Sequence, residues 1–231
     1  MTKSAFLQRP CLNSFDLLKA LKNQGYLKTT RDPLWWPRSG TFWVVVGAIL
    51  TQQTKWENVE KSIKNLEDAG IDSLEKLSAV DMDFLAVCIK PSGFYNTKAK
   101  NLCFLANAIL DAFATFEFFC ENVDREWLLR QKGIGEESAD SILCYACKQD
   151  AMVVDAYTAR LLASFGYTFE SYGALQEWMT EGIFENFAKI NELYNKEIPR
   201  NELYARFHGK IVEFCKEKSR GKMVQVESLE L

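Results

Sequence analysis

The sequence reads as an all-α protein, and three observations lead to that reading. Apolar residues recur at spacings of three and four through Leu12–Leu21, Val44–Leu66, Lys98–Phe113 and Glu137–Cys147, the period of amphipathic helices. Runs that alternate like strands are few. Within Leu128–Leu161, a Gly133-Ile134-Gly135 turn joins two helical stretches into a helix-turn-helix.

Taken in order, Met1–Pro10 mixes polar and basic residues with no long apolar run, so no export signal is expected there. The segment Leu34-Trp35-Trp36-Pro37 is unusually aromatic. Phe42–Leu50 is the longest apolar stretch; it is too short to cross a bilayer and reads as a core helix. Ser73-Leu74-Glu75-Lys76 and Thr97–Lys100 carry helix starts beside capping residues, and Pro91 and Gly93 interrupt the chain between them. Asp155 is most simply an N-cap opening a helix over Ala156–Ser164.

With 231 residues, 48% of them apolar, the chain can bury a substantial core in one or two domains. Its seven cysteines are scattered and odd in number, which fits reduced thiols in a cytoplasm better than a disulfide framework. Cys144 and Cys147 form a CxxC with no second pair nearby; they read as helix packing, and no metal site is expected. The net charge of −3 argues mildly against a nucleic-acid partner, so local distribution matters more. Lys90, Lys98, Lys100 and Lys132 gather near the Gly93 loop and the glycine turn, and Arg206, Lys210, Lys216, Lys218, Arg220 and Lys222 form a second basic group. Acidic residues concentrate around Glu57–Asp83 and Glu170–Glu192. An ordinary solvated surface fits this pattern equally well.

Two glycines flanking one apolar residue let a chain reverse tightly and leave backbone N–H groups pointing outward, where a phosphate can sit without any base being read. About twenty residues on, Val153-Val154-Asp155 sets a carboxylate after two apolar positions. Backbone anchoring and one carboxylate together suggest chemistry on a nucleotide, beside the plain capping role of Asp155.

This stretch resembles the helix-hairpin-helix DNA glycosylases of the endonuclease III superfamily, whose signature is a Gly-hydrophobic-Gly hairpin and a downstream Val-Asp. The resemblance extends over roughly Phe42–Leu161. Leu50-Thr51-Gln52-Gln53-Thr54 is similar to the segment these enzymes set against the target base pair. Gly93-Phe94-Tyr95-Asn96-Thr97-Lys98-Ala99-Lys100 is similar to the loop from which one side chain wedges into the duplex. The resemblance implies two interleaved helical domains, residues 40–149 holding the hairpin and residues 1–39 with 150–231 joining both chain ends, with Asp155 in a cleft between them. It also implies DNA contacts at Lys132, Gly133, Ile134 and Gly135, a catalytic role for Asp155, and Phe94 and Gln53 as the side chains that fill the hole left by an extruded base. A buried loop anchor is an equal reading of Phe94, and Tyr95 reads as core.

Superfamily members that also nick the strand attack the sugar with a lysine just after the hairpin. The matching position here is Glu137, and neither Glu136 nor Ser138 supplies an amine. The expectation is a monofunctional glycosylase that uses water and leaves an abasic site. Trp35, Trp36 and Trp56 read either as packing or as a pocket that stacks on a flipped base. Ring faces attract cations, so such a pocket suits an alkylated purine, whose positive charge also makes it a good leaving group. The Trp-Trp-Pro segment and Tyr204-Ala205-Arg206-Phe207-His208-Gly209-Lys210 are similar to the 3-methyladenine DNA glycosylase III group within the superfamily. That likeness implies a base pocket of Trp35, Trp36, Pro37, Trp56 and Lys210, to which His208, the only histidine, adds either a polar lining or a buried hydrogen-bonding group.

An ammonium at Lys210 would repel a cationic base. Burial, pairing with Glu213 or conversion to a carbamate would neutralise it, and a plain surface lysine is an equal reading. Many relatives hold an iron–sulfur cluster on four closely spaced cysteines near the C-terminus, where this chain has only Cys215, so no cluster and no other cofactor are expected. The expected partner is duplex DNA with alkylated bases, met by a monomer in the cytoplasm without a membrane. Two other readings remain: a bifunctional glycosylase and lyase acting on an oxidised pyrimidine or mismatch, and a DNA-structure binder without catalysis, for which a carboxylate near phosphate has no use.

Overall fold

The computed structural model describes residues 13–27, 32–221 and 223–229. The expectations for Met1–Pro10 and Lys222 lie outside them. The described chain is helical: α1 (Ser14–Asn23), α2 (Phe42–Leu50), α3 (Trp56–Asp68), α4 (Leu74–Ala79), α5 (Met82–Cys88), α6 (Tyr95–Phe113), α7 (Phe116–Asn122), α8 (Arg125–Leu129), α9 (Glu136–Ser141), α10 (Ala156–Ser164), α11 (Tyr172–Glu185), α12 (Phe187–Tyr194) and α13 (Arg200–Lys218). A π-type turn, Ile142–Ala146, prolongs α9, and a short antiparallel hairpin, β1 (Ser219–Arg220) with β2 (Met223–Val224), follows α13. None of the described helices is by itself long and apolar enough to cross a membrane.

Caps explain most of the helix starts. Thr41, Ser73, Asp81, Thr115, Asp124, Asp155 and Ser171 each accept an N–H from the first turn of the helix they precede, satisfying donors that have no partner within the helix. Two expectations shift. The apolar run Val44–Leu66 breaks between α2 and α3, where Gln53 takes a left-handed φ of 53°. Thr97 lies inside α6, which starts at Tyr95 after the left-handed Phe94.

The chain divides into two compact units. Among the described residues, a hairpin unit comprises 32–153 and 200–206, and a terminal unit comprises 13–27, 154–199, 207–221 and 223–229. The boundaries therefore differ from the expected 39/40 and 149/150. Residues before 40 join the hairpin unit because Trp36 is buried in its core, with ring centroids 5.5 Å from Trp56 and 5.1 Å from Tyr145. The start of α13 joins it because Asn201 donates to the carbonyls of Cys144 (2.9 Å) and Gln149 (2.7 Å), and the Tyr145 hydroxyl donates to Ala205 O at 3.0 Å.

The hairpin unit packs α2, α3, α4 and α6 around Val45, Ile49, Leu66, Leu85, Leu102 and Ile142, all buried. In the terminal unit, Leu17, Leu21, Leu161, Met179, Ile183, Phe207 and Phe214 are buried. Here α1 and α11 approach closely at Gly182, where an added Cβ would lie 2.5 Å from Ser14 Oγ and 2.8 Å from Ser14 N.

Candidate nucleic-acid interface and active site

The glycine turn sits between α8 and α9. Gly133 has φ 84°, and a Cβ there would fall 2.1 Å from Asn101 Nδ2, so both conformation and space require glycine. Ile134 is buried and fixes the turn to the core. Gly135 is extended and caps α9 without a side chain. Arg125 ties the helices together through Asp140, with Nε–Oδ1 at 2.8 Å; Asp140 is buried at the partner end of this pair. Lys132, Gly133, Gly135 and Glu137 are exposed.

Two more turns reach this region of the hairpin unit. Gln52 Nε2 donates to Gly133 O at 2.9 Å and Ser138 Oγ at 3.0 Å, which links the Thr51–Thr54 turn to the hairpin. The adjacent Gln53 is exposed. In the second turn, Phe94 has φ 46° and is 68% exposed, which removes the reading of it as a buried loop anchor. Tyr95 is half-buried against the core. Lys98 corrects the charge reading: it is not part of a basic surface but is 3% exposed, with its ammonium on main-chain carbonyls. Lys90 and Lys100 are exposed.

The aromatic residues form one edge-to-face set within the hairpin unit. Trp35 and Trp36 meet at 6.4 Å and 85°, and Trp36 and Trp56 at 5.5 Å and 83°. Trp36 is a core anchor, with its indole nitrogen beside Gly47, whereas Trp35, Pro37 and Trp56 are half-buried. Tyr145 packs against both Trp35 and Trp36 from the π-type turn and was not singled out by the sequence. Its buried position in an ordinary helical pattern gives no signal of this.

Asp155, His208 and Lys210 belong to the terminal unit. Asp155 Oδ1 accepts from Thr158 N (2.8 Å) and Thr158 Oγ1 (3.0 Å), a reciprocal cap. Its Oδ2 faces His208 Nε2 at 3.4 Å, and its side chain is 13% exposed. Burial pushes this carboxyl upward, but the neighbouring His208 imidazole and the two Thr158 bonds outweigh it and hold the pKa below the ordinary 3.8. The capping reading of Asp155 therefore holds, its second oxygen is left facing His208, and the sequence alone did not pair the two. Lys210 is not a surface lysine: it is 3% exposed, and its ammonium donates to the Tyr26 carbonyl. Arg206 donates to Pro33 O within the hairpin unit.

Residues 46–182, more than half of the chain, match the model of the HhH-GPD superfamily of base excision DNA repair proteins. The chain belongs to this superfamily. A protein of Methanocaldococcus jannaschii described as a candidate DNA repair glycosylase is 38% identical over 194 residues, 81% of this chain and 82% of its own. The 3-methyladenine DNA glycosylase of H. pylori, solved bound to 1,N6-ethenoadenine, superposes with a TM-score of 0.87 at 48% identity, covering 90% of this chain and 100% of that one. An endonuclease III trapped covalently on DNA shares the fold, with a TM-score of 0.69 at 19% identity over 93% of this chain and 91% of its own.

The iron–sulfur cluster that many superfamily members hold does not fit the residues of this one. Four thiolates are needed, and beyond Cys147 the sequence has only Cys215. Burial pushes the Cys215 thiol up to about 12, and it donates to Tyr157 O at 3.6 Å, so it is a protonated packing group. Cys144 is buried and its thiol is raised, while Cys147 hydrogen-bonds to Cys120 on α7.

Proposed function

We propose that this superfamily member is a monofunctional DNA glycosylase that extrudes an N-alkylated purine such as 3-methyladenine from duplex DNA and hydrolyses its glycosidic bond. The observation that carries this reading is the ionised carboxylate of Asp155, capped onto Thr158 through Oδ1 with Oδ2 facing His208. Breaking the bond develops positive charge on the deoxyribose, and a fixed anion in a poorly hydrated setting stabilises that charge. The departing base takes the bonding pair and thereby neutralises its own charge. Water supplies the oxygen that bonds to the sugar, and its proton is lost to the carboxylate or solvent.

The other parts follow. Trp35 and Trp56, half-buried, give ring faces that favour a cationic base over a neutral one. Phe94, exposed and locked in a left-handed turn, is suited to wedge into the duplex, and Gln53 to bond with the orphaned base. Lys132 and the glycine turn contact phosphate. Glu137 at the nucleophile position supports hydrolysis without strand cleavage, because a carboxylate forms no imine with the sugar. No cluster is required, and we infer that the protein works as a monomer in the cytoplasm.

The test is incubation with methylated DNA. Release of free 3-methyladenine, with strand breaks appearing only after alkali, is the expected result. Breaks without alkali, or a protein–DNA adduct trapped by borohydride, would overturn the hydrolytic assignment.

A further inference from the structure

Lys98 is a buried cation whose four recorded acceptors include no carboxylate. Its ammonium donates to Leu50 O (2.9 Å), Gln52 O (2.9 Å), Ser92 O (2.8 Å) and Thr54 Oγ1 (3.0 Å). Burial lowers its pKa to about 8, so at pH 7 it remains an ammonium, with three N–H donors spread over four oxygens. Thr54 Oγ1 also donates to Ser92 O, which closes a small ring between the two turns. Holding a charge away from water without a counter-ion is unfavourable, and an apolar side chain would pack there at less cost.

The geometry of the acceptors shows what the charge accomplishes. Leu50 O and Gln52 O lie just before and within the turn that presents Gln53, and Ser92 O opens the turn that presents Phe94. Both presented residues are non-glycine and left-handed, with φ 53° and 46°. Such conformations are unfavourable for a residue with a Cβ and persist only where surrounding bonds over-determine them. Gln52 then carries the constraint to the hairpin, through Gly133 O and Ser138 Oγ.

We propose that Lys98 and Gln52 are positioning residues that hold the Thr51–Thr54 turn, the Ser92–Tyr95 turn and the glycine hairpin in one fixed register, so that the three DNA-facing turns engage the duplex together. This rests on the glycosylase reading for its consequence, though not for its geometry. The test uses full-length Lys98→Met, Gln52→Ala and Thr54→Val, in two measurements.

Amide hydrogen exchange reads the geometry without any activity. Lys98→Met should raise exchange at least about tenfold at 51–54 and 92–95 while α10 and α11 stay at wild-type rates. Gln52→Ala should raise it at 51–54 and 133–135 but not at 92–95. Single-turnover excision from methylated DNA reads the consequence. The DNA concentration for half-maximal rate should rise about tenfold in Lys98→Met, with the maximal rate changed less than about threefold, because pre-positioned contacts are lost and the chemistry is not. If Lys98→Met does not fold, Thr54→Val, which removes one acceptor, should show the same exchange pattern at smaller amplitude. Unchanged exchange at both turns, exchange raised uniformly through the unit, or a loss confined to the maximal rate overturns the proposal. A wild-type protein that releases no base overturns the glycosylase reading instead, and the exchange pattern then still decides the role of Lys98 and Gln52.

Discussion

Asp155 divides two tasks between two oxygens. Oδ1 caps α10 through Thr158, and Oδ2 faces His208. Asparagine caps a helix about as well as aspartate but carries no charge. Asp155→Asn should therefore keep the cap, fold and bind DNA normally, while single-turnover excision falls about a hundredfold or more. Asp155→Ala should lose as much activity and also about 1 kcal/mol of stability with the cap. Near-normal excision by Asp155→Asn would remove the carboxylate from the chemistry. The pH dependence follows from the lowered pKa. A folded value below the unfolded one means that the contribution of the ionised carboxylate is complete above about pH 4 and is lost as pH falls through the folded value. The stability gap between wild type and Asp155→Ala should hold between about pH 7 and 5 and narrow below about pH 4, as followed by thermal melting.

The glycine hairpin depends on Gly133 twice over, for its φ of 84° and for the room occupied by Asn101. Gly133→Ala should cost about 2 kcal/mol or more, of which about 1–2 reflects left-handed alanine and the rest the collision. Pairing it with Asn101→Ala should recover part of the collision cost, and a double-mutant cycle from urea unfolding measures that part. Equal losses in both backgrounds would show that the collision is relieved elsewhere. The hairpin and α10 were readable in the sequence because glycine spacing and a capping aspartate are local signals. The break between α2 and α3 was not: the apolar period runs on from Val44 to Leu66, and the Gln52 carbonyl beside the left-handed Gln53 is held by Lys98, far along the chain. Lys98 itself reads as a surface charge until its carbonyl partners are assembled around it. Residues 32–39 and 200–206 group with the hairpin unit through Trp36 and Asn201, contacts no local pattern encodes. Of the candidate site, the capping role of Asp155 was legible from residue type and position. The partners Thr158 and His208 required the fold.

The C-terminal region shows how the chain holds together where many relatives use a metal cluster. After α13 it forms the β1–β2 hairpin, and Val224, Val226 and Leu229 are buried in the terminal unit. Burying three such side chains is worth about 1.5–3 kcal/mol each against exposure, an upper estimate because the unfolded chain already hides some of this surface. Cys215, raised to about 12, contributes as a buried hydrophobe rather than as a thiolate ligand. Stability here should thus come from apolar burial and be indifferent to metal. Purified protein should carry less than stoichiometric iron and no visible charge-transfer absorbance, and its melting temperature should not respond to chelators. Truncation after Arg220, by contrast, should remove about 5 kcal/mol, read by urea unfolding. A chelator-sensitive melting temperature together with a stable truncated chain would show that metal ligation, not the Val224–Leu229 contacts, secures this end of the molecule.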